Sequence, residues 1–219
     1  MKLTPKTLQV LKNFSSINQS IIINAGHELI SVSDSKVCIA YAEIEEEFPI
    51  DFAIYDINKF INSINLLKDA EIEFSDDYLT LTNADSSIQY FYSDPDVLTQ
   101  PPKAKFELPS VDIEYLLTAD HMSAMMKASN NLDLPDVSII ADGKTSKLVV
   151  HNSLNKGCNK FSINLGGTTD VYTANFKIEY FKFLPGAYYM EISNQKISKF
   201  TNEDIDLTYF VALEHDSKF

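Results

Sequence analysis

The chain has 219 residues, of which 45% are hydrophobic and 22% are charged, and its formal net charge at pH 7 is −13. This composition is typical of a globular protein and excludes an intrinsically disordered one. All 18 basic residues are lysine and the chain contains no Arg, which argues against a sequence-specific DNA reader or a phosphoryl-transfer enzyme that depends on arginine.

The first residues give no sign of export or membrane insertion. The N-terminal stretch lacks the apolar core of a secretory signal, and no apolar run approaches the roughly 20 residues that span a bilayer. Cys38 and Cys158 stand alone, in no metal-type spacing, which suits a reducing compartment. We therefore expect an intracellular protein with no membrane partner.

Two helices are predicted in the first half. Residues 2–20 begin with Thr4 as the N-cap and Pro5 at the first helical position. Residues 56–68, within the stretch YDINKFINSINLL, carry an apolar stripe at helical spacing. The opposite stripe of this second helix is unusual because it consists of asparagine, a mediocre helix former, at Asn58, Asn62 and Asn65.

A proline-rich segment separates two halves of similar length. Four of the eight prolines fall between residues 93 and 110, which predicts an extended linker. We therefore predict a first domain over residues 1–92, a connecting loop over 93–108 and a second domain over 109–219.

The second half repeats the helix signals of the first. Residues 118–131 begin with Thr118 as a cap, at an offset of 114 from Thr4, and residues 174–184 align at an offset of 117 with the second helix of the first half. In that alignment Thr173 takes the cap position of Asp56. We interpret the pair of matches as a duplication. Chance similarity between two helix starts is the alternative.

Short alternating segments between these helices predict antiparallel strands. Asp76-Asp77 and Asp142-Gly143 predict hairpin turns between such strands. The fold class is therefore α+β, with two helices packed on antiparallel sheet in each half.

Charge differs between the predicted helices and the rest of the chain. The four helical stretches sum to +5, whereas the remaining residues sum to −18. The polar stripes of these helices carry few groups that repel a phosphate. This is expected of a surface that lies beside DNA without binding it tightly. A merely solvated face is the alternative. The candidate DNA-facing residues are Lys6, Gln9, Lys12, Asn13, Asn58, Lys59, Asn62, Asn65, Ser123, Lys127, Asn175 and Lys182.

No motif for catalysis, metal or cofactor occurs. The four histidines form no ligand spacing, and no phosphate-binding glycine loop or nucleophile elbow is present. The run EIEEEF, residues 43–48, is interpreted as a solvated edge or loop rather than a cation site. We expect a protein that is not an enzyme and has no cofactor.

Several longer segments resemble one family, the sliding clamps of T-even-type bacteriophages, which are relatives of proliferating-cell nuclear antigen. The resemblance is carried, in family order and over nearly the whole chain, by LKNF, FAIYDIN, KFSINLG, LPGAYY and YFVALEHDS. It implies a DNA polymerase processivity factor with two similar DNA-clamp domains per chain. Three chains would form a closed ring around duplex DNA, with helices lining the hole.

The resemblance also implies contact surfaces and partners. Edge strands of neighbouring subunits would meet through Ile88, Tyr90 and Tyr92 on one side and Lys160, Phe161 and Ile163 on the other. A pocket for the C-terminal tail of the replicative polymerase would be formed by Leu98, Phe106, Phe210, Ala212 and Leu213. Further implied partners are an ATP-dependent clamp loader and the sigma and coactivator proteins of phage late transcription, in the cytoplasm of the infected bacterial host.

Two hypotheses of other classes compete with a processivity clamp. One is a non-catalytic, structural β-rich phage assembly protein whose repeat builds a shell. The other is an enzyme whose site is assembled from acidic residues. A mass in solution and the retention of DNA circles distinguish the clamp from both.

Overall fold

The chain folds into two compact units, Met1–Lys105 and Phe106–Phe219. The computed structural model describes residues 1–155, 157–202 and 204–219, and in this part of the chain it has three α-helices and fifteen strands. The division between the units falls inside the predicted connecting loop. The assignment of residues 93–108 to that loop remains a prediction.

Unit 1 consists of two helices and three groups of antiparallel strands. In chain order its elements are α1 (Pro5–Ile17), β1 (Ile21–Ile23), β2 (Gly26–Val32), β3 (Cys38–Phe48), β4 (Phe52–Ile54), α2 (Ile57–Leu66), β5 (Glu71–Phe74), β6 (Tyr78–Thr82), β7 (Ser87–Phe91) and a 3₁₀ turn (Pro95–Val97). Strand β1 pairs with β4, β2 pairs with β3, and β5, β6 and β7 form a three-stranded meander.

Unit 2 consists of one helix and two antiparallel sheets. Its elements are β8 (Ile113–Leu117), α3 (Ala119–Leu132), β9 (Asp136–Asp142), β10 (Thr145–His151), β11 (Phe161–Gly167), β12 (Val171–Lys177), a 3₁₀ turn (Ile178–Tyr180), β13 (Tyr188–Ser193), β14 (Ile197–Asn202) and β15 (Leu207–Ala212). One sheet has the strand order β11-β10-β9-β12, and the other runs β15-β14-β13-β8.

The caps predicted at Thr4 and Thr118 and the predicted hairpin turn at Asp142-Gly143 are confirmed. Thr4 accepts a hydrogen bond from the backbone N–H of Thr7 at 3.3 Å, and Thr118 accepts one from His121 at 3.2 Å. The turn at Asp142-Gly143 joins β9 to β10, with Gly143 in the left-handed region at a φ of 82°. The helices and antiparallel strands together confirm the α+β class. Local caps and turns determine where these helices and strands begin and end.

Apolar stripes of the helices form the cores. Helix α1 buries Leu11 and Phe14, and α2 buries Ile57 and Phe60, each at most 1% exposed. In unit 2 the core is rich in aromatic rings, and Phe183 stacks on Tyr209 with the ring centroids 4.2 Å apart. None of the helices in the described ranges is both long and apolar enough to cross a membrane.

The helix predicted over residues 174–184 is wrong, and so is the expectation of two helices in each half. Residues up to Lys177 belong to β12, and only the short 3₁₀ turn follows. Burial alternates along β12, with Ala174 and Phe176 buried and Asn175 on the opposite face. Thr173 pairs with Ile140 on β9 and does not cap a helix. Buried and exposed side chains therefore alternate along this segment with the two-residue period of a strand, although its apolar residues also fit a helical spacing. Pairing with β9 stabilises the strand.

The acidic run EIEEEF is part of strand β3 rather than a loop. Its residues Glu43, Glu45 and Glu47 are exposed, but Glu46 is 9% exposed and points inward. The expectation of a solvated edge therefore fails for Glu46, because side chains of a strand alternate between faces.

Candidate nucleic-acid interface and protein contact surfaces

Helix α1 presents the first group of predicted DNA-facing residues. Gln9 and Lys12 are exposed, and Lys6 and Asn13 are half-buried. The 13-residue helix from Pro5 to Ile17 contains no acidic residue. The free side of α1 is thus polar and carries two ammonium groups.

The two helices of unit 1 meet through their predicted DNA-facing side chains. Lys12 Nζ donates a hydrogen bond of 2.6 Å to Asn58 Oδ1, and the same oxygen accepts one of 3.1 Å from Ser15 Oγ. Lys12 and Asn58 lie 46 positions apart in the sequence. The structure therefore brings the polar stripes of α1 and α2 into one surface.

The asparagine stripe of α2 faces solvent. Asn62 and Asn65 are exposed, as is Lys59, while Asn58 is half-buried beside α1. The N-cap of the helix is Asp56, whose pKa is lowered first by the hydrogen bond from the backbone N–H of Lys59. Helix α2 itself contains no carboxylate, so its exposed face offers amides and one ammonium to an approaching phosphate.

In unit 2, helix α3 carries the corresponding residues Ser123 and Lys127. Both are exposed, and their spacing of four places them on one side of the helix. Among the three helices the charged residues are Lys6, Lys12, Lys59, Lys127 and Asp120. The predicted basic character of the helices therefore persists without a fourth helix.

Asn175 and Lys182 do not join a helical surface. Asn175 lies on β12, where its amide oxygen accepts a hydrogen bond of 2.7 Å from Ser138 and its amide nitrogen donates one of 2.9 Å to Asp216. Lys182 is exposed in the segment after the 3₁₀ turn. The helical placement that made these two residues DNA-facing candidates is therefore wrong.

Two edge strands carry the residues predicted to join neighbouring subunits. Strand β7 is the last strand of its meander and contains Ile88 and Tyr90, both half-buried, with Tyr92 immediately after it. The ring of Tyr90 packs against Phe60 with the centroids 5.4 Å apart. Burial raises the pKa of both tyrosines, and the Tyr90 hydroxyl donates a hydrogen bond of 3.4 Å to the carbonyl of Asp56.

The second edge is strand β11, which borders the other sheet beside β10. Phe161 and Ile163 on this strand are half-buried, and Lys160, just before it, is exposed. Each of these edge strands has a single strand neighbour within the described part of its own unit. The outer backbone groups of an edge strand are available to pair with another chain.

The residues of the predicted partner pocket are divided between the two units. In unit 2, Phe106 packs edge-on against Phe210 with the ring centroids 5.0 Å apart, and Leu213, which follows the last residue of β15, Ala212, is 8% exposed. In unit 1, Leu98 is 8% exposed at the end of the 3₁₀ turn. The structure thus brings Phe106 and Phe210 together, and the contribution of Leu98 remains a prediction.

Sequence reasoning missed a polar cluster on one face of the sheet that contains β9, β10 and β12. It lies in a cleft of about 510 Å³, where Ser138 Oγ is 2.8 Å from His151 Nε2. The single hydroxyl proton of Ser138 is donated to Asn175, so the imidazole N–H donates to the serine oxygen and the pair is not arranged as nucleophile and base. Burial lowers the pKa of His151. Pairing between β9, β10 and β12 assembles this cluster, and no sequence spacing indicates it.

Comparisons of sequence place the chain among phage replication proteins. The chain is 31% identical over 223 aligned positions to the sliding clamp of Vibrio phage KVP40, with 98% of this chain and 99% of that protein covered. It is also 31% identical to the sliding clamp of Enterobacteria phage T4, with 99% and 98% covered. Residues 2–99 match the family model described as DNA polymerase processivity factor.

Comparisons of structure identify the same fold in distant proteins. Proliferating cellular nuclear antigen from Entamoeba histolytica superposes with a TM-score of 0.66 at 14% identity, covering 95% of this chain and 94% of that one. The A. fulgidus protein of the same kind, solved with the C-terminal region of FEN-1 bound, gives a TM-score of 0.68 at 11% identity, with 96% and 95% covered. At these identities the likeness establishes the fold alone.

Proposed function

Because the chain belongs to the sliding-clamp family of T4-like bacteriophages, we propose that it encircles duplex DNA as a ring of three copies and tethers the replicative DNA polymerase. In this role it is a processivity factor, without catalysis or cofactor, inside the infected bacterial host. A phage assembly protein has no counterpart among these relatives.

The observation that carries the proposal is the polar surface shared by α1 and α2, two helices that contain no acidic residue, although the carboxylate of Asp56 at the N-cap of α2 lies 3.9 Å from Lys59 Nζ. On a chain with a net charge of −13, these two helices place Lys12 against Asn58 and expose Asn62 and Asn65 beside Lys59. Affinity for DNA rises with each phosphate that is neutralised, so a surface of amides and few ammonium groups stays close to the backbone without fixing a register. In unit 2, α3 contributes Ser123 and Lys127 to the same role.

Ring closure is proposed to use the two edge strands. Strand β7 of one copy, with Ile88, Tyr90 and Tyr92, would pair with β11 of the next, where Lys160, Phe161 and Ile163 lie. The two edges differ, so the contact is heterologous and closes into a ring when the rotation between copies is one third of a turn. Pairing would also remove two exposed edges, each a liability in a free subunit.

Partner binding is proposed at the aromatic pair of Phe106 and Phe210, with Ala212, Leu213 and Leu98 completing an apolar pocket. The structure of the A. fulgidus relative holds the C-terminal region of another protein, which supports tail docking as a mode of this fold. We expect the C-terminal tail of the replicative polymerase to supply an aromatic or aliphatic anchor here. An ATP-dependent clamp loader and the sigma and coactivator proteins of late transcription are the further proposed partners.

Mass in solution and topology-dependent retention on DNA test the proposal together. Light scattering at micromolar concentration should give three times the chain mass of 24.7 kDa. After loading with the phage clamp loader and ATP, the protein should remain on nicked circular duplex and slide off the linear form of the same DNA. A monomeric mass, or equal retention on circles and linear molecules, would contradict an encircling ring.

A further inference from the structure

The segment before the boundary between the units is fastened to unit 1 at two points. Thr99 Oγ1 donates a hydrogen bond of 2.9 Å to Asp34 Oδ1. Six positions later, Lys105 Nζ donates one of 2.9 Å to Glu28 Oε1. Both contacts join residues more than 60 positions apart, so they fix the course of this segment over the surface of unit 1.

The site that receives Lys105 is built for a cation. Glu28 on β2 stands directly opposite Glu43 on β3, and like charges in opposite positions of an antiparallel pair destabilise it. The ammonium of Lys105 offsets this repulsion. It also lies 5.8 Å from the ring centroid of Tyr41, within the range of a cation–π contact.

The pKa of Lys105 agrees with this geometry. The pKa of Lys105 is raised, first by its hydrogen bond to Glu28 and further by the charges of Glu28 and Glu43. Lys103, two positions earlier, is exposed and forms no hydrogen bond or ion pair in the described part of the chain. The contact is therefore specific to one of two neighbouring lysines.

The residue after Lys105 belongs to the proposed partner pocket. Phe106 packs on Phe210. Because Phe106 is bonded directly to Lys105, fixing Lys105 restricts the conformations that Phe106 can adopt. We propose that the ion pair of Lys105 with Glu28 is a latch that positions the connecting segment for binding of a partner's C-terminal tail. This inference rests on the proposed function.

The physical effect of the latch is preorganisation. A segment that is already ordered loses less conformational entropy when a peptide binds beside it, so the peptide binds more tightly without touching the latch. The ion pair is a surface pair, with 62% of the Lys105 side chain and 35% of the Glu28 side chain exposed. Such pairs contribute modestly, and the expected loss of affinity on breaking it is therefore about two- to five-fold.

Fluorescence anisotropy with a labelled synthetic peptide, the last residues of the phage's own replicative polymerase, tests the latch on the full-length protein. Lys105→Ala should weaken peptide binding by about two- to five-fold, and Lys103→Ala, the matched control, should leave it unchanged. Phe210→Ala tests the pocket separately. If Phe210→Ala has no effect, the proposed pocket fails; if it abolishes binding while Lys105→Ala matches Lys103→Ala, the latch alone is overturned.

Charge exchange separates a latch from a general packing effect. Lys105→Glu, which places a third carboxylate beside Glu28 and Glu43, should weaken binding more than Lys105→Ala does. Combining it with Glu28→Lys should restore most of the wild-type affinity. The ratio of wild-type to Lys105→Ala affinity should fall toward one in 1 M salt, where exposed charges are screened.

Backbone dynamics give a readout that does not depend on the peptide. The ¹⁵N order parameters of residues 99, 100 and 104 should be lower in Lys105→Ala than in Lys103→Ala, because the segment has lost one of its two side-chain fastenings. Unchanged order parameters in this segment, or failure of the charge-exchanged double variant to recover peptide affinity, would overturn the latch.

Discussion

The hydroxyl of Thr7 donates a hydrogen bond of 2.5 Å to the carboxylate of Glu46, which joins the first turn of α1 to strand β3. The same carboxylate accepts a hydrogen bond from the backbone N–H of Thr4. Burial by itself would raise the pKa of Glu46, but the hydrogen bonds from Thr7 and Thr4 outweigh it and hold the pKa below its ordinary value of 4.5. A helix expected to face DNA is thus fixed at its N-terminus by one buried charge.

The first prediction is that Glu46→Gln destabilises the protein at neutral pH by about 1–3 kcal/mol. Because the folded pKa is lowered, the carboxylate stabilises the fold above the unfolded pKa, and this contribution disappears as the pH falls through the folded value. Urea unfolding at fixed protein concentration should therefore show a gap in the free energy of unfolding between wild type and variant at pH 7, and this gap should close as the pH falls below the ordinary carboxyl pKa of 4.5 and through the lower folded value. Glu45→Gln, exposed on the same strand, should show no gap, and an equal loss in both variants would contradict the role of Glu46.

The second prediction concerns the lysines of the candidate DNA surface. Lys12→Glu combined with Lys127→Glu should slow loading onto circular DNA by about 3- to 10-fold, because the reversed charges repel phosphate during approach. The mass in solution should stay that of the wild type. A control with the same charge change, Lys144→Glu with Lys147→Glu in exposed positions of unit 2, should load normally. Loss of the oligomer in the first variant would mean that these lysines are packed in an interface.

The third prediction concerns the neutral stripe of α2. Asn62→Lys with Asn65→Lys should make retention on circular DNA more resistant to salt and should slow one-dimensional diffusion, because each added phosphate contact steepens the salt dependence. Single-molecule tracking on stretched DNA measures the diffusion directly. Asn62→Ser with Asn65→Ser keeps the stripe neutral and should diffuse like the wild type. Unaltered diffusion of the lysine variant would show that α2 does not face DNA.

The sequence predicts the elements whose signals are local. Helices α1, α2 and α3 follow from caps at Thr4, Asp56 and Thr118 together with an apolar stripe, and these determinants lie within a few residues of each other. The segment over residues 174–184 has an equally plausible helical spacing, but pairing with β9 decides its structure. A sequence pattern within one segment contains no information about its pairing with a strand that is distant in the sequence.

The same limit applies to the candidate surfaces. The polar residues of α1 and α2 are recognisable one helix at a time, but the contact of Lys12 with Asn58 depends on how the helices pack. The fastening of Lys105 to Glu28 joins residues 77 positions apart and follows no periodicity. Composition and spacing therefore identify candidate polar side chains on single elements. Tertiary structure determines which of these side chains contact each other.

The fourth prediction concerns residues 214–219, whose backbone adds to the edge of β12. Thr173 and Lys218 exchange two backbone hydrogen bonds, of 2.9 and 2.8 Å, and the N–H of Glu214 donates one of 2.8 Å to the carbonyl of Asn175. Deleting residues 214–219 should lower the free energy of unfolding by about 2–4 kcal/mol and speed hydrogen exchange in β12, because these three backbone bonds and the bonds of Asn175 to Ser217 and Asp216 are lost. Deleting Phe219 alone, which is 46% exposed, should change neither quantity. A truncated protein with wild-type stability that no longer binds the polymerase tail would instead place these residues in the partner pocket, since their backbone pairing with β12 would then contribute nothing to the fold.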